Sequence, residues 1–119
     1  HIYSYDIKKP NFDYNNITFI EFDINKLDIN KGFPLIDSYY GNNILVIEDA
    51  HVNTLSVLNT VNKFLTSGDY LIVEDSDSKQ KVIQQFMESN SNRYKVDQFY
   101  LDFFGINMTC STDSIFRIF

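Results

Sequence analysis

The sequence predicts a single α/β domain whose sheet has a parallel centre and an antiparallel carboxyl-terminal edge. Two apolar runs, Asn43–Asp49 and Asp69–Asp75, each precede a segment with apolar residues at helical spacing. The last part of the chain instead alternates polar and apolar residues, which favours antiparallel strands. A chain of 119 residues is long enough for one core and too short for two independent domains.

Two strands are predicted near the amino terminus. Ile2–Ile7 is rich in β-branched and aromatic residues, and Pro10 ends it. A polar loop leads to a second strand, Ile17–Asp23. The next segment is interrupted by glycine and proline, and only a short helix over Leu35–Tyr40 is predicted there.

The middle of the chain predicts two strands that alternate with two helices. Asn43–Asp49 is continuously apolar, as in a central strand that is covered on both faces. The apolar spacing of Leu55–Leu65 predicts a helix that ends at Ser67-Gly68. Asp69–Asp75 is the next strand, and Ser78–Ser89 is the next helix.

The tail predicts two strands that pair with each other. Arg93–Phe104 is expected to form a long strand, and Ser114–Phe119 a second one after a loop. Because they are close in sequence, we expect them to pair antiparallel as a hairpin-like unit.

Composition and motifs exclude several classes of function. With ten basic and sixteen acidic residues, and a net charge of -6, neither a nucleic acid nor a membrane surface is expected as a partner. No apolar stretch is long enough for a membrane helix. The single Cys110 allows no internal disulfide and no signal segment is found, so we expect a cytoplasmic protein. The sequence also lacks a nucleophile-elbow context, GxxxxGK[ST] and GxGxxG, which disfavours nucleophilic and nucleotide hydrolysis.

Acidic residues end the predicted parallel strands. In open α/β sheets, ligands bind outside the carboxyl ends of the strands. Because neighbouring strands lie about 4.8 Å apart, acids from two of them would reach one Mg²⁺ or Mn²⁺ ion. The alternative is that these acids are solvated or cap the following helices, and spacing alone favours it slightly. The acids are Asp6, Asp23, Asp49, Glu74 and Asp75.

His51 follows Asp49 by two residues on the same predicted loop. An imidazole there is a candidate general base for a hydroxyl held at a metal. The alternative is a polar residue at the start of a helix.

These segments resemble the cephalosporin hydroxylase-like proteins, which are grouped with rhamnosyl O-methyltransferases among the class I S-adenosylmethionine-dependent methyltransferases. Ile2–Ile7 resembles the second strand of that family, Ile44–His51 the fourth, and Tyr70–Asp75 the fifth. The family closes with a strand, a Gly-x-Asn-x-Thr turn and a final strand with a basic residue, similar to Tyr94–Asp97, Phe104–Thr109 and Ile115–Ile118.

The resemblance implies a metal-assisted methyl transfer to a hydroxyl group. By carry-over, Asp49, Glu74 and Asp75 would bind Mg²⁺, and His51 would be the base. Asp6 would bind the ribose of the cofactor S-adenosylmethionine, and Asp23 would lie near its adenine.

The family's first strand and its glycine-rich turn have no counterpart in the sequence. The resemblance therefore implies a Rossmann-like methyltransferase sheet that is incomplete at the amino terminus. In the family this strand lies between the second and the fourth, which leaves either a gap or a direct pairing of Ile2–Ile7 with Ile44–Asp49. Exposed strand edges predict a homo-oligomer or pairing with a missing amino-terminal segment.

Three hypotheses of function follow. The first is a methyltransferase that acts on a hydroxyl of a sugar or small metabolite with S-adenosylmethionine and Mg²⁺. The second is a catalytically silent methyltransferase-like module for interaction or assembly. The third, a receiver-like signalling domain, ranks last because no lysine is suitably placed on a late strand.

Overall fold

The computed structural model describes residues 1–35, 43–104 and 114–119 and contains two sheets. In the first, β1 (Ile2–Asp6) pairs in parallel with β2 (Ile17–Glu21). The second has the order β3-β4-β6-β5 and consists of β3 (Leu45–Glu48), β4 (Tyr70–Val73), β5 (Tyr94–Val96) and β6 (Ile115–Ile118).

The predicted mixture of parallel and antiparallel pairs is confirmed. β3 and β4 pair in parallel, whereas β6 is antiparallel to both β4 and β5. The predicted antiparallel pairing of the two tail strands is also confirmed, with Tyr94 opposite Ile118. Since parallel neighbours need a crossover, the helix between β3 and β4 follows from this topology.

In the described parts of the chain, three α-helices accompany the sheet: α1 (Thr54–Val61), α2 (Ser76–Asn90) and α3 (Gln98–Phe104). α1 and α2 pack against each other, and their apolar stripes enclose one core with the sheet. Each large side chain buried there contributes about 1.5–3 kcal/mol relative to its exposed state. The most deeply buried apolar members are Leu58, Leu65, Leu71, Val73, Phe86 and Ile118.

α1 is shorter than the sequence predicts. It ends at Val61, and Gly68 lies in a later turn with a φ of 95° instead of closing the helix. The guanidinium of Arg93 donates to the carbonyls of Asn62 (2.7 Å) and Leu65, which follow the helix. Arg93 therefore satisfies backbone acceptors just beyond the end of α1.

The predicted long strand Arg93–Phe104 is wrong in its second half. β5 ends at Val96, and α3 follows from Gln98. Asp97 begins this helix, because its carbonyl accepts from Leu101 N (3.3 Å) while its own N–H donates to Ile115 O (2.8 Å). The aromatic residues of this segment have a high strand propensity, so the alternation of polar and apolar residues predicts a strand where the helix forms.

β3 is not the central, fully covered strand that its apolar run predicts. Among the described residues it pairs only with β4, and Leu45 and Ile47 are 57% and 54% exposed. Its other face, with Val46 and Glu48, turns toward the helices. Of the two arrangements left open, direct pairing of β1 with β3 is not found in the described parts of the chain.

The two-stranded sheet is joined to the rest by the segment after β2. Ile24, Leu27 and Phe33 pack against the main core. Asn53 Nδ2 donates to Ile24 O (3.1 Å), and Lys63 Nζ donates to Ile29 O (2.7 Å). The residues between β1 and β2 form no helix, as expected from the short connection.

Some predictions fall on undescribed residues. They are the part of the helix Leu35–Tyr40 beyond residue 35, Cys110, and the Gly-x-Asn-x-Thr turn of residues 105–109. Among the helices that the structure describes, none combines the length and the apolar character needed to cross a membrane.

Asp69 → Ala is expected to lower the free energy of unfolding by about 3 kcal/mol. The Asp69 carboxylate is buried and accepts from Ile44 N (2.8 Å), Thr66 N (2.6 Å) and Thr66 Oγ1 (3.1 Å). Alanine would leave these donors without their acceptor. Urea denaturation measures the loss, and Asp13 → Ala at an exposed site is the control. Equal midpoints for the two variants would contradict this role.

Candidate metal-binding site

Two loops meet at the carboxyl ends of β3 and β4. One comprises residues 49–53 and leads into α1, and the other comprises residues 74–75 and leads into α2. Glu74 N donates to Glu48 O (2.8 Å), which extends the parallel ladder to the start of both loops. The ladder therefore places the starts of the two loops side by side.

Asp49, His51 and Asp75 come together at this edge, and we call them the rim cluster. His51 Nε2 lies 3.9 Å from Asp49 Oδ1 and 3.8 Å from Asp75 Oδ2. One ligand atom from each residue lies within 4.8 Å of the other two. The side chains are 61%, 68% and 45% exposed in the order Asp49, His51, Asp75, so water and ions reach them.

The donor set of the rim cluster fits a divalent cation. Carboxylate oxygens suit Mg²⁺ and Mn²⁺, whereas an imidazole nitrogen suits Zn²⁺ and other transition-metal ions better. Ligands about 2.1 Å from an ion lie up to about 4.2 Å apart. Adjacent ligands of an octahedral ion lie about 3.0 Å apart, so the observed distances of 3.8 and 3.9 Å would have to shorten by up to about 0.9 Å.

Local backbone geometry directs the Asp75 carboxylate to the rim. Asp75 precedes α2 with a φ of 48°, in the left-handed region that aspartate tolerates better than most residues. Its side chain makes no capping hydrogen bond to the helix. Asp75 therefore does not cap α2 through a hydrogen bond, and its charge lies at the amino terminus of that helix, where a negative charge is favoured.

A buried ion pair lies next to the rim cluster in the chain. Lys79 Nζ of α2 is 2.9 Å from Glu48 Oε2, and the two side chains are 6% and 1% exposed. Thr54 Oγ1 lies 3.4 Å from Glu48 Oε1 as a further donor. Burial raises the pKa of Glu48 above its usual value, although the hydrogen bond and charge of Lys79 act in the opposite direction.

Sequence reasoning did not identify Glu48 or Lys79 as site residues. A signal for both was present. Glu48 directly extends an apolar run, and Lys79 precedes Val82, Ile83 and Phe86 at spacings of three, four and seven on the buried side of α2. A lysine on an apolar stripe needs a buried acid, and a strand-end acid of this kind supplies it.

The other predicted site residues lie apart from the rim cluster. Glu74 is half-buried and does not join the group of metal-ligand atoms, so its role stays a prediction. Asp6 is exposed at the end of β1, and its Oδ1 accepts from Lys8 N at 3.3 Å. Asp23 caps the 3₁₀ helix Ile24–Lys26 by accepting from Asn25 N at 3.0 Å. The cofactor roles of Asp6 and Asp23 likewise stay predictions.

An open pocket of about 430 Å³ adjoins the rim cluster. Its lining comes from the loop before α1 and the first turns of α1 and α2, and it includes His51, Thr54 and Lys79. Because His51 belongs to both the pocket and the cluster, a molecule in the pocket would lie beside the candidate ion.

Comparisons with known proteins show the fold. No protein-family model matches the chain, and no curated protein matches it. Among solved structures, the chain is similar to the Mg-SAM complex of cmcI, with a TM-score of 0.60 and 21% sequence identity. The similarity covers 98% of this chain and 51% of that one, so the chain spans about half the length of that protein. The chain therefore shares the α/β fold of about half of that protein.

Proposed function

We propose that the chain belongs to an S-adenosylmethionine- and Mg²⁺-dependent O-methyltransferase that acts on a hydroxyl of a sugar or small metabolite. The rim cluster carries this proposal, because it gathers cation ligands at the strand ends of a methyltransferase-type fold. The structurally similar cmcI is a Mg-SAM complex. The presence of both Mg and SAM in that complex supports Mg²⁺ and S-adenosylmethionine as the ligands proposed for this chain.

The proposed roles follow from where the side chains lie. Asp49 and Asp75 would hold the ion, with Glu74 as the third carboxylate predicted from the sequence. A Mg²⁺ ion there would lower the pKa of a substrate hydroxyl. His51 is within 4 Å of both carboxylates and would accept the hydroxyl proton on its imidazole.

Asp6 is the proposed ribose-binding residue. Its exposed carboxylate makes one long hydrogen bond within its own turn, so its oxygens are accessible to ribose hydroxyls. Asp23 is more constrained, since it caps the 3₁₀ helix and lies 3.5 Å from Lys26 Nζ. We propose that it lies near the adenine through its position after β2.

A second candidate function is a catalytically silent interaction module. The exposed Leu45 and Ile47 on β3 favour it, because an apolar strand at the end of a sheet is a ready site for pairing. Such a module would form a homo-oligomer or pair with another segment. It would need no cofactor.

Calorimetric titration with S-adenosylmethionine, with and without Mg²⁺, separates the two functions. The methyltransferase proposal predicts saturable binding of the cofactor and a loss of at least about tenfold in affinity, about 1.4 kcal/mol, for Asp6 → Ala. Asp13 → Ala is the control, because Asp13 is an exposed acid whose only ion-pair contact among the described residues is with the exposed Lys9. Absence of binding of both cofactor and ion, together with self-association in sedimentation, would instead support the interaction module.

A further inference from the structure

The ion pair between Lys79 and Glu48 is almost completely buried. Its atoms are 2.9 Å apart, and the two side chains are 6% and 1% exposed. Burying two charges costs much of what their attraction contributes, and apolar replacements of similar size are often equally stable. A charged pair at this position therefore suggests a role in fixing one particular conformation.

The pair is connected to the first loop of the rim at both of its ends. Glu48 is the last residue of β3 and directly precedes Asp49. Its carboxylate also takes a backbone hydrogen bond from Ala50. At the far end of the loop, Thr54 Oγ1 contacts both Glu48 Oε1 (3.4 Å) and Ala50 O (3.2 Å). These bonds close the loop that carries two members of the rim cluster.

The same pair is connected to the second loop through α2. Lys79 lies four residues after Asp75, about one helical turn into α2. Asp75 has no side-chain capping bond of its own to orient the start of this helix. The bond from Lys79 to the end of β3 therefore ties the start of α2 to the first loop.

We infer that Lys79 is a positioning residue for the rim cluster: through Glu48 it holds the two loops at the separation that a divalent cation needs. Lys79 belongs to neither the rim cluster nor the predicted metal ligands, so it acts through the loops and not as a ligand. This inference rests on the proposed function, in which the rim cluster binds the ion. Partners that orient metal ligands typically change affinity by roughly ten- to hundredfold when removed.

The test is the double variant Glu48 → Leu with Lys79 → Met, which replaces the charged pair by an apolar one. Calorimetry with Mn²⁺ is expected to show an affinity roughly ten- to hundredfold below that of the wild type. Amide hydrogen exchange in residues 49–53 and 74–76 is expected to be faster in the double variant, even without metal. The single variant Lys79 → Arg keeps a cation beside Glu48 and is expected to keep most of the wild-type affinity for Mn²⁺.

Thr54 → Val is a milder second variant in case the double variant does not fold. It leaves the ion pair and removes its hydroxyl link to α1, so Mn²⁺ binding is expected to weaken about three- to tenfold. Asp69 → Ala is the control, because it removes buried hydrogen bonds at the opposite end of β3. Its Mn²⁺ affinity is expected to equal that of the wild type.

The outcomes separate this inference from the proposed function. A folded double variant with wild-type Mn²⁺ affinity and unchanged exchange in both loops would overturn the positioning role alone. If the double variant is unfolded, wild-type Mn²⁺ affinity and unchanged exchange in the single variant Lys79 → Gln, which removes the charge of the pair, would also overturn it. A wild type that binds no Mn²⁺ would instead refute the metal site, and the exchange rates of the two loops would still decide whether Lys79 fixes them.

Discussion

Asp49 → Ala is expected to weaken the binding of Mg²⁺ and Mn²⁺ at least a hundredfold, or about 2.8 kcal/mol. Asp49 and Asp75 are the two rim-cluster carboxylates proposed to hold the ion, and the loss of Asp49 leaves only Asp75 of this pair. Because Asp49 is exposed, the free energy of unfolding should change by less than about 0.5 kcal/mol. Calorimetric titration of both ions into the variant and the wild type measures the effect.

The matched control for this experiment is Asp13 → Ala. Asp13 is also an exposed aspartate, it lies in the loop between β1 and β2, and its ion-pair partner is Lys9 at 3.7 Å. Both variants remove one negative charge, so they share any general electrostatic effect on cations. An equal loss of affinity in both would show that the net charge of -6 attracts the ions without a specific site.

Phe86 → Ala is expected to lower the free energy of unfolding by about 3–5 kcal/mol. Phe86 is 2% exposed on the inner face of α2, and its ring lies edge-on to that of Tyr94 with centroids 5.1 Å apart. Truncation would leave a cavity between α2 and the sheet. Urea denaturation followed by circular dichroism measures the change.

Gln85 → Ala is the control for Phe86 → Ala, since Gln85 is the adjacent residue of the same helix and is exposed. Alanine has a high helix propensity, so this change should leave the stability within about 0.5 kcal/mol. A similar unfolding midpoint for the two variants would mean that α2 is not packed against the core as described. The attachment of Lys79 to Glu48 would then also be in question.

The elements with clear hydrophobic periodicity were predictable from the sequence. The runs that became β3 and β4 and the stripe of α2 place the strand-end acids on one edge, which is why Asp49 and Asp75 were expected near each other. Long-range contacts at the ends of elements were not predictable. The carbonyl of Asn62, just after α1, accepts a hydrogen bond from Arg93 some thirty residues away in sequence, and no local pattern shows this contact.

The candidate site was predictable to a lesser degree than the strands. The order and the ends of the strands determine which acids lie at this edge of the sheet. The backbone conformation of each loop determines which of their side chains meet. The left-handed backbone at Asp75 brings its carboxylate to His51, whereas Glu74 stays outside the group. Adjacent residues of a loop can point in different directions, so a Glu-Asp pair in sequence does not imply two ligands in space.

The most direct test of the rim cluster as a metal site is paramagnetic broadening of amide signals by Mn²⁺ in the ¹⁵N-labelled protein. Substoichiometric Mn²⁺ is expected to broaden first the amides of residues 49–53 and 74–77, which form the two loops and the start of α2. Amides of Thr66 and Gly68, near the opposite end of β4, should stay sharp. Uniform broadening, or broadening that begins at exposed acids such as Asp13 and Asp28, would contradict the metal site.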